Sequence, residues 1–175
     1  MEYNYLFNKL EEVNKIPYPK VNVERKNIML ANIILDNYSG NVSELSAVLK
    51  YVYQKINLKD TDLAKIIGKI SIVEMHHLEI LGKIINQLGI KSCYISSNNH
   101  IFWSASNVCY EVDNICYMLK NNIAQEQDAI TGYRGLICKT YDNNIIDIIK
   151  RIIMDEKVHK EIFEYILNNY NKKYI

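Results

Sequence analysis

The stretch SIVEMHHLEI, residues 71–80, carries the motif on which the fold prediction rests. It contains neither Gly nor Pro, and its apolar residues recur at helical spacing, which predicts a helix. Within it, Glu74 and His77 are three residues apart and therefore lie on one face of that helix. An apolar stripe on either side indicates that this face is turned to the core. Its members are Ile66, Ile70, Val73, Leu81, Ile84 and Leu88. A buried carboxylate beside a buried imidazole needs a compensating charge, and a metal ion is one source of it.

The second half of the chain repeats the first at a fixed distance in sequence. The motif Glu156-x-x-His159 follows Glu74-x-x-His77 by 82 residues, and four of the seven positions from Glu74 to Ile80 are identical in the repeat. Upstream, the same offset relates Glu44, Ala47 and Tyr51 to Glu126, Ala129 and Tyr133. The repeat predicts two helical hairpins related by an approximate two-fold axis, each of which contributes a Glu and a Glu-x-x-His motif.

The hydrophobic pattern predicts an all-α fold with four long helices. We expect an N-terminal arm over residues 1–22 and one bundle domain over residues 23–175. The first helix is predicted from Val23 to Ile56, and Gly40 within it marks either a kink or a close packing point. The second runs from an N-cap at Thr61 to Leu88 and ends at Gly89. The third and fourth span about 107–139 and 144–169. Residues 89–107 show no helical period and form a long crossover, which Phe102 and Trp103 are expected to anchor.

The repeated residues predict a dinuclear metal site in the bundle core. Four carboxylates and two imidazoles form the candidate ligand set: Glu44, Glu74, His77, Glu126, Glu156 and His159. The four carboxylates carry four negative charges, which two divalent cations neutralise. Oxygen and nitrogen ligands without sulfur suit iron or manganese and do not distinguish between them.

Several other residues have two interpretations that the sequence leaves open. Tyr51 and Tyr133 lie two helical turns after Glu44 and Glu126, so they either hydrogen-bond to a metal ligand or are ordinary core tyrosines. Asp155 either accepts the free N–H of a ligand histidine, His77 being the candidate across the bundle, or is a surface carboxylate. His76, His100, Glu79 and Glu161 are expected to lie off the ligand face.

Composition sets limits on partners and location. With 21 basic and 20 acidic residues, the net charge of +1 gives no reason to expect nucleic acid or an anionic membrane as a partner. No stretch of about twenty apolar residues occurs, so no membrane span is expected. The start of the chain lacks a basic segment followed by an apolar run, so we expect no signal peptide and a cytoplasmic location. The four cysteines form no Cys-x-x-Cys pair and are expected to be reduced, mostly buried thiols.

The ligand motifs resemble those of the ferritin-like superfamily, in its rubrerythrin and manganese-catalase branch. The six candidate ligands fall on that superfamily's ligand positions, and residues 73–82 and 102–106 are similar to bacterial rubrerythrin-like proteins. The resemblance covers about residues 25–170 and implies a ferritin-like four-helix bundle with two bound iron or manganese ions. Two departures from rubrerythrins matter. We expect no C-terminal rubredoxin-like domain with Cys-x-x-Cys pairs, so the electron donor is unknown, and Ala129 stands where rubrerythrins carry an extra carboxylate.

The resemblance implies an oxidoreductase that consumes hydrogen peroxide, with hydrogen peroxide or dioxygen as its small-molecule substrate. Because Ala129 replaces the extra carboxylate of rubrerythrins, a standard rubrerythrin peroxidase cycle is not expected. A catalase-like reaction is favoured, since disproportionation of peroxide needs no external electron donor. A homodimer or larger homo-oligomer is expected. The alternatives are a ferritin-like iron-binding or storage protein with ferroxidase chemistry, a coat protein that retains the site, and a helical bundle that binds no metal.

Overall fold

The described residues fold almost entirely into helices. The structure is a computed structural model, and it describes residues 3–97 and 101–173, with side chains as far as residue 170. Six α-helices are present: α1 (Tyr3–Asn14), α2 (Ile28–Ser39), α3 (Glu44–Asn57), α4 (Thr61–Leu88), α5 (Ile115–Ile137) and α6 (Asn143–Lys173). A short 3₁₀ turn covers Ala105–Asn107. The prediction of an all-α, ferritin-like bundle is confirmed.

The helices pack as two hairpins side by side. Helix α3 packs along α4, and α5 packs along α6, while α2 contacts both α4 and α5. Helix α1 lies against α4 and α6 and buries Leu6, Leu10 and Val13. The crossover that joins the two hairpins spans residues 89–114.

The first predicted helix is in fact two helices, which corrects the expected continuous helix from Val23 to Ile56. At Gly40 the backbone turns extended, and a side chain there would clash with the carbonyl oxygen of Asp36. Ser43 then acts as the N-cap of α3, because its hydroxyl accepts a hydrogen bond from the N–H of Ser46. The break makes Glu44 the first residue of a helix.

Two other helix starts differ from their predicted positions, and one predicted helix end is confirmed. Asp60, and not Thr61, is the N-cap of α4, because its carboxylate accepts from the N–H groups of Asp62 and Leu63. Gly89 ends that helix in the left-handed conformation, with φ of 112°, as predicted. Helix α5 begins at Ile115, several residues later than the sequence indicates, because the Asn114 side chain caps it.

One of the two crossover aromatics is an anchor. The indole N–H of Trp103 donates to Ser46 Oγ on α3 at 3.0 Å, so this residue ties the crossover to the bundle. Phe102 is 77% exposed and is not an anchor, which corrects that expectation. His100 lies outside the described residues.

The four cysteines are reduced thiols and are exposed or partly exposed, which corrects the expectation that they are mostly buried.

The core consists of two apolar clusters with a polar layer between them. The first cluster includes residues from Leu63 to Ile70 of α4 and from Ile162 to Ile166 of α6. The second includes residues from Ile80 to Leu88 of α4 and from Ile145 to Ile153 of α6. The segments left between them are those that carry the two Glu-x-x-His motifs. No helix among the described residues is long and apolar enough to cross a membrane.

Candidate metal centre

The two long helices place both Glu-x-x-His motifs in the middle of the bundle. Because three residues make slightly less than one helical turn, Glu74 and His77 of α4 lie on one face, and Glu156 and His159 of α6 lie on another. All four side chains are buried, with exposed fractions of 1% or less. The apolar residues before and after each motif hold these faces inward, so helical register alone brings the four groups together.

The shorter helices contribute the remaining two carboxylates, Glu44 from α3 and Glu126 from α5. Both are buried. Glu44 is the first residue of its helix, where unpaired backbone N–H groups and the helix dipole favour a negative charge. The break between α2 and α3 therefore gives this carboxylate a favourable place, which a continuous helix would not provide.

The six side chains form two overlapping groups. One contains Glu44, Glu74, His77 and Glu156, and the other contains Glu74, Glu126, Glu156 and His159, with one donor atom per residue and all donor atoms of a group within 4.8 Å of one another. Glu74 and Glu156 belong to both groups. Such an arrangement suits two ions that share two carboxylates, each ion having one imidazole and one further carboxylate of its own.

Donor atoms without hydrogen-bond partners test whether a metal fits this centre. His77 Nδ1 lies 3.0 Å from Glu156 Oε1, and His159 Nδ1 lies 2.8 Å from Glu74 Oε1. Despite these short distances, none of the four atoms makes a hydrogen bond within the described part of the chain. The atoms are close but not directed at one another, as expected of ligands that surround a common ion. The donor set therefore fits a pair of divalent cations.

In the metal-free protein, the pKa values of the candidate ligands are shifted because several charged groups are buried together. Burial and the neighbouring carboxylates Glu74 and Glu156 raise the pKa of Glu44 well above its usual value. Burial and the same two carboxylates raise the pKa of Glu126. For His77, burial favours the neutral ring, but the carboxylates of Glu44, Asp155 and Glu156 together outweigh it and raise the pKa well above 6.5. His159 shows the same direction, with Glu74 as the main charge.

The pKa values of the other two carboxylates, Glu74 and Glu156, shift in the opposite direction, below the usual value. For Glu74, burial favours the neutral acid, but the charge of His159 prevails and holds the pKa well below its usual value. For Glu156, burial and Glu74 favour the neutral acid, while the two neighbouring histidines outweigh them and lower the pKa overall. Without a metal, the centre thus balances its charge by protonating histidines and some carboxylates, and divalent cations are able to replace those protons.

The two candidate tyrosines contact the cluster across the hairpin interface. Tyr51 of α3 donates a hydrogen bond to Glu126 Oε1 on α5, and Tyr133 of α5 donates one to Glu44 Oε1 on α3. Burial raises the pKa of both hydroxyls, so they keep their protons and act as donors. Of the two interpretations that the sequence leaves open, the structure has the tyrosines hydrogen-bonded to candidate ligands.

Asp155 lies behind His77 and is fully buried. Its Oδ2 is 3.1 Å from His77 Nε2, on the opposite side of the ring from the carboxylate cluster. The structure adds two partners of Asp155 that the sequence interpretation missed: the Tyr18 hydroxyl donates at 2.6 Å, and Arg151 Nη1 donates at 2.5 Å. Burial raises the pKa of Asp155, but hydrogen bonds from His77 and Arg151 outweigh it and lower the pKa overall.

The other repeated or adjacent polar residues lie off the cluster. Glu79 is ion-paired with Lys83 and Glu161 with Lys9, so both are surface carboxylates paired with lysines, as expected. His76 is exposed and its ring packs edge-on against Tyr18. These positions take no part in the candidate centre.

A small cavity opens over the carboxylate side of the cluster. All four candidate glutamates line it, together with Tyr51 and Tyr133, the break residues Val42 and Ser43, and Asn37, Ala47, Gln125 and Ala129. Among the described residues, neither candidate histidine lines it. About 20 Å³ is open to the centre of a water-sized sphere. One water needs about 10–15 Å³ by this measure, so the cavity takes a molecule of the size of water or peroxide.

A family model for manganese-containing catalases matches residues 12–101, just over half of the chain. The chain belongs to the manganese-containing catalase family. It is 26% identical over 170 aligned residues to a probable manganese catalase of Clostridium acetobutylicum, covering 85% of this chain and 75% of that protein. It is also 26% identical to protein CotJC of Bacillus subtilis, covering 92% and 96% of the two chains.

Solved structures agree with this family assignment. The crystal structure of KatB, a manganese catalase from Anabaena, superposes with a TM-score of 0.81 at 25% identity, covering 90% of this chain and 80% of that one. A bacterioferritin of Desulfovibrio desulfuricans superposes with a TM-score of 0.64 at 22% identity, covering 82% and 81%, which shows a shared fold. Together, the family and the clustered donors are consistent with a dinuclear manganese or iron site.

Proposed function

We propose that this member of the manganese catalase family decomposes hydrogen peroxide at a dinuclear centre held by Glu44, Glu74, His77, Glu126, Glu156 and His159. The observation that carries the proposal is the cluster itself: four buried carboxylates and two buried imidazoles converge beneath a cavity of peroxide size. Family membership favours manganese over iron as the resident metal.

Two metal ions held by these residues would supply the two-electron redox chemistry by which one peroxide is reduced to two waters and another is oxidised to dioxygen. The protein side chains keep the pair charge-neutral and in place. Glu74 and Glu156 are the candidates to bridge, since both belong to both groups of donors. Glu44 with His77 and Glu126 with His159 complete the two positions. No external electron donor is required for this reaction.

The cavity determines what reaches the centre. Its remaining walls combine the small or apolar side chains of Val42, Ala47 and Ala129 with the polar side chains of Asn37, Ser43 and Gln125. Larger organic peroxides exceed the available space, whereas hydrogen peroxide fits. Because the glutamates line the cavity and the histidines lie behind them, we infer that the open positions for substrate face this cavity.

Protons must move between the two halves of the reaction. Oxidising one peroxide to dioxygen releases two protons and two electrons, and reducing another to two waters consumes the same number. Glu44 and Glu126 line the cavity in which these protons are released and taken up. The hydroxyls of Tyr133 and Tyr51 fix the orientation of these two carboxylates and stay protonated themselves.

Oxygen release from hydrogen peroxide tests the proposed reaction. Manganese-loaded protein without a reductant is expected to release one dioxygen for every two peroxides consumed, and a Glu74→Ala variant with its manganese lost is expected to release almost none. Peroxide consumption that requires an added reductant would indicate a peroxidase. Oxidation of Fe²⁺ with retention of far more than two irons per chain would indicate iron storage.

A further inference from the structure

The surroundings of the two candidate histidines differ, although the repeat makes their own positions equivalent. His77 Nε2 lies 3.1 Å from Asp155 Oδ2 and 3.1 Å from the Tyr18 hydroxyl. His159 Nε2 is buried and has no hydrogen-bond partner among the described residues. The sequence explains the difference, because the residue before Glu156 is Asp155, whereas the residue before Glu74 is Val73.

The contacts at His77 fix the tautomer of its ring. The Tyr18 hydroxyl donates to Asp155, so His77 Nε2 is the atom that carries the hydrogen facing these two acceptors. The Nδ1 lone pair then points to the carboxylate cluster, where it is available to a cation. A carboxylate behind a ligand histidine also makes the ring a stronger donor to the metal. His159 has no such contact to select its tautomer.

Arg151 and the N-terminal segment hold this group in position. Arg151 donates to Asp155 from one nitrogen of its guanidinium group. From the others it donates to the backbone carbonyls of Val13, at 2.8 Å, and of Ile16, at 3.0 Å. The guanidinium carbon also lies 4.2 Å from the centre of the Tyr18 ring. Arg151 is only 4% exposed, so its charge balances Asp155 in a region that water does not screen.

The residue equivalent to Arg151 in the first half makes different contacts. Lys69 stands there, is partly exposed, and pairs with Glu11 at 3.1 Å on the protein surface. The first half therefore supplies neither the carboxylate nor the buried cation that the second half provides. The two halves therefore differ in two side chains, the carboxylate and the buried cation, and not in a single contact.

We propose that Tyr18, Asp155 and Arg151 make the two metal positions unequal, so that the position served by His77 binds its ion more tightly and fills first. The inference rests on the proposed dinuclear centre and adds an order of filling to it. Tyr18 and Arg151 act as positioning residues, since they reach the metal position only through Asp155 and His77. The N-terminal segment, residues 13–18, thereby becomes part of the metal centre's support.

Stepwise manganese titration of the metal-free protein tests this proposal. Calorimetry is expected to show two steps of different affinity, and electron paramagnetic resonance is expected to show an isolated Mn²⁺ after the first equivalent and a coupled pair after the second. Tyr18→Phe keeps the ring over Arg151 but removes the hydroxyl. It is expected to weaken the first step about 10- to 100-fold and to leave the second nearly unchanged.

A matched control separates this effect from a general loss of packing. Tyr38 is a buried tyrosine whose hydroxyl donates to the carbonyl oxygen of Ser92, away from the cluster, so Tyr38→Phe is expected to leave both steps unchanged. Two steps of equal affinity in the wild type, or a first step that Tyr18→Phe does not alter, would overturn the proposed inequality and leave the dinuclear centre standing. No manganese binding at all would overturn the centre itself.

Discussion

The hydroxyl of Tyr133 on α5 donates a hydrogen bond to the carboxylate of Glu44 on α3. The repeat supplies the reciprocal contact, from Tyr51 on α3 to Glu126 on α5. Each hairpin thus provides the donor that orients the other hairpin's candidate ligand. The bundle interface and the proposed metal centre are therefore stabilised by the same two hydrogen bonds, which couples the folding of the two halves to the geometry of the centre.

Replacing either tyrosine is expected to weaken both the centre and the bundle. Tyr133→Phe leaves a buried carboxylate of Glu44 without its donor, which costs about 1–3 kcal/mol in the free energy of unfolding. Metal affinity should fall by about 10- to 100-fold, because the carboxylate is no longer held in place. Chemical unfolding of the metal-free protein and metal titration measure the two effects.

The two tyrosine variants also serve as a comparison with each other. Because the contacts are equivalent by the repeat, Tyr51→Phe should have an effect similar to that of Tyr133→Phe. Unchanged stability and unchanged metal affinity in both variants would show that these hydroxyls are only core-packing groups, which is the other interpretation of the sequence.

The shared carboxylates should matter for both metal positions, and the unshared ones for a single position. Glu74→Ala removes a donor from both groups and is expected to reduce metal content from about two ions per chain to nearly none. Glu44→Ala removes a donor from one group only, so about one ion should remain. Elemental analysis of protein purified without chelator gives these ratios.

A surface glutamate provides the control for that series. Glu161 repeats Glu79 but is 54% exposed and pairs with Lys9, so Glu161→Ala should leave metal content unchanged. Equal metal loss in the Glu44 and Glu74 variants would contradict the assignment of Glu74 as a shared ligand.

The pH dependence of stability should have opposite signs with and without metal. Glu44, Glu126, His77 and His159 have raised pKa values in the folded metal-free protein, so the folded state holds more protons than the unfolded state. Their stabilisation is present below the unfolded pKa values, about 4.5 for Glu and 6.5 for His, and is lost as pH rises. The lowered pKa of Glu74 and Glu156 acts the other way only below about pH 4.5.

Metal binding requires the same groups to be deprotonated, so its contribution grows as pH rises. Thermal unfolding between about pH 6 and 8 is therefore expected to show a falling midpoint for metal-free protein and a flatter or rising midpoint with excess Mn²⁺. Parallel profiles in the two states would mean that the metal does not bind at these protonatable groups.

Narrowing the cavity should block the reaction without removing the metal. Ala129 lines the cavity one helical turn after Glu126, and Ala129→Leu fills space that is barely larger than one water. Oxygen release should fall at least about tenfold, equivalent to 1.4 kcal/mol in the barrier, with metal content unchanged. Ala124→Leu, at an exposed position on the same helix, is the matched control. Full activity of Ala129→Leu would show that substrate enters elsewhere.

The sequence was most informative where structure depends on local helical register. The two Glu-x-x-His motifs lie on long helices without a break, so a spacing of three residues and a repeat of 82 place four buried groups correctly. The break after Ser39 was harder to predict, because apolar spacing continues through it. A helix N-cap pattern at Ser43 was the available signal, and it competed with that periodicity.

Contacts between segments that are distant in the chain could not be predicted from the sequence. Tyr18 and His77 are 59 residues apart, and nothing in their local pattern indicates that they meet. Arg151 offered a weak signal, since it is a charged residue between Ile149 and Ile152, four positions before Asp155. The hydrogen bond of Tyr51 to Glu126 in the other hairpin could not be predicted either, because helical spacing alone places Tyr51 near the core without selecting a partner.

The metal content of the wild-type protein tests the central claim most directly. Protein purified without chelator, or reconstituted with Mn²⁺ or Fe²⁺ and freed of excess ion, should contain about two manganese or iron ions per chain, as the two groups of donors predict. A content near zero, with no uptake on reconstitution, would contradict the dinuclear centre and every function proposed from it.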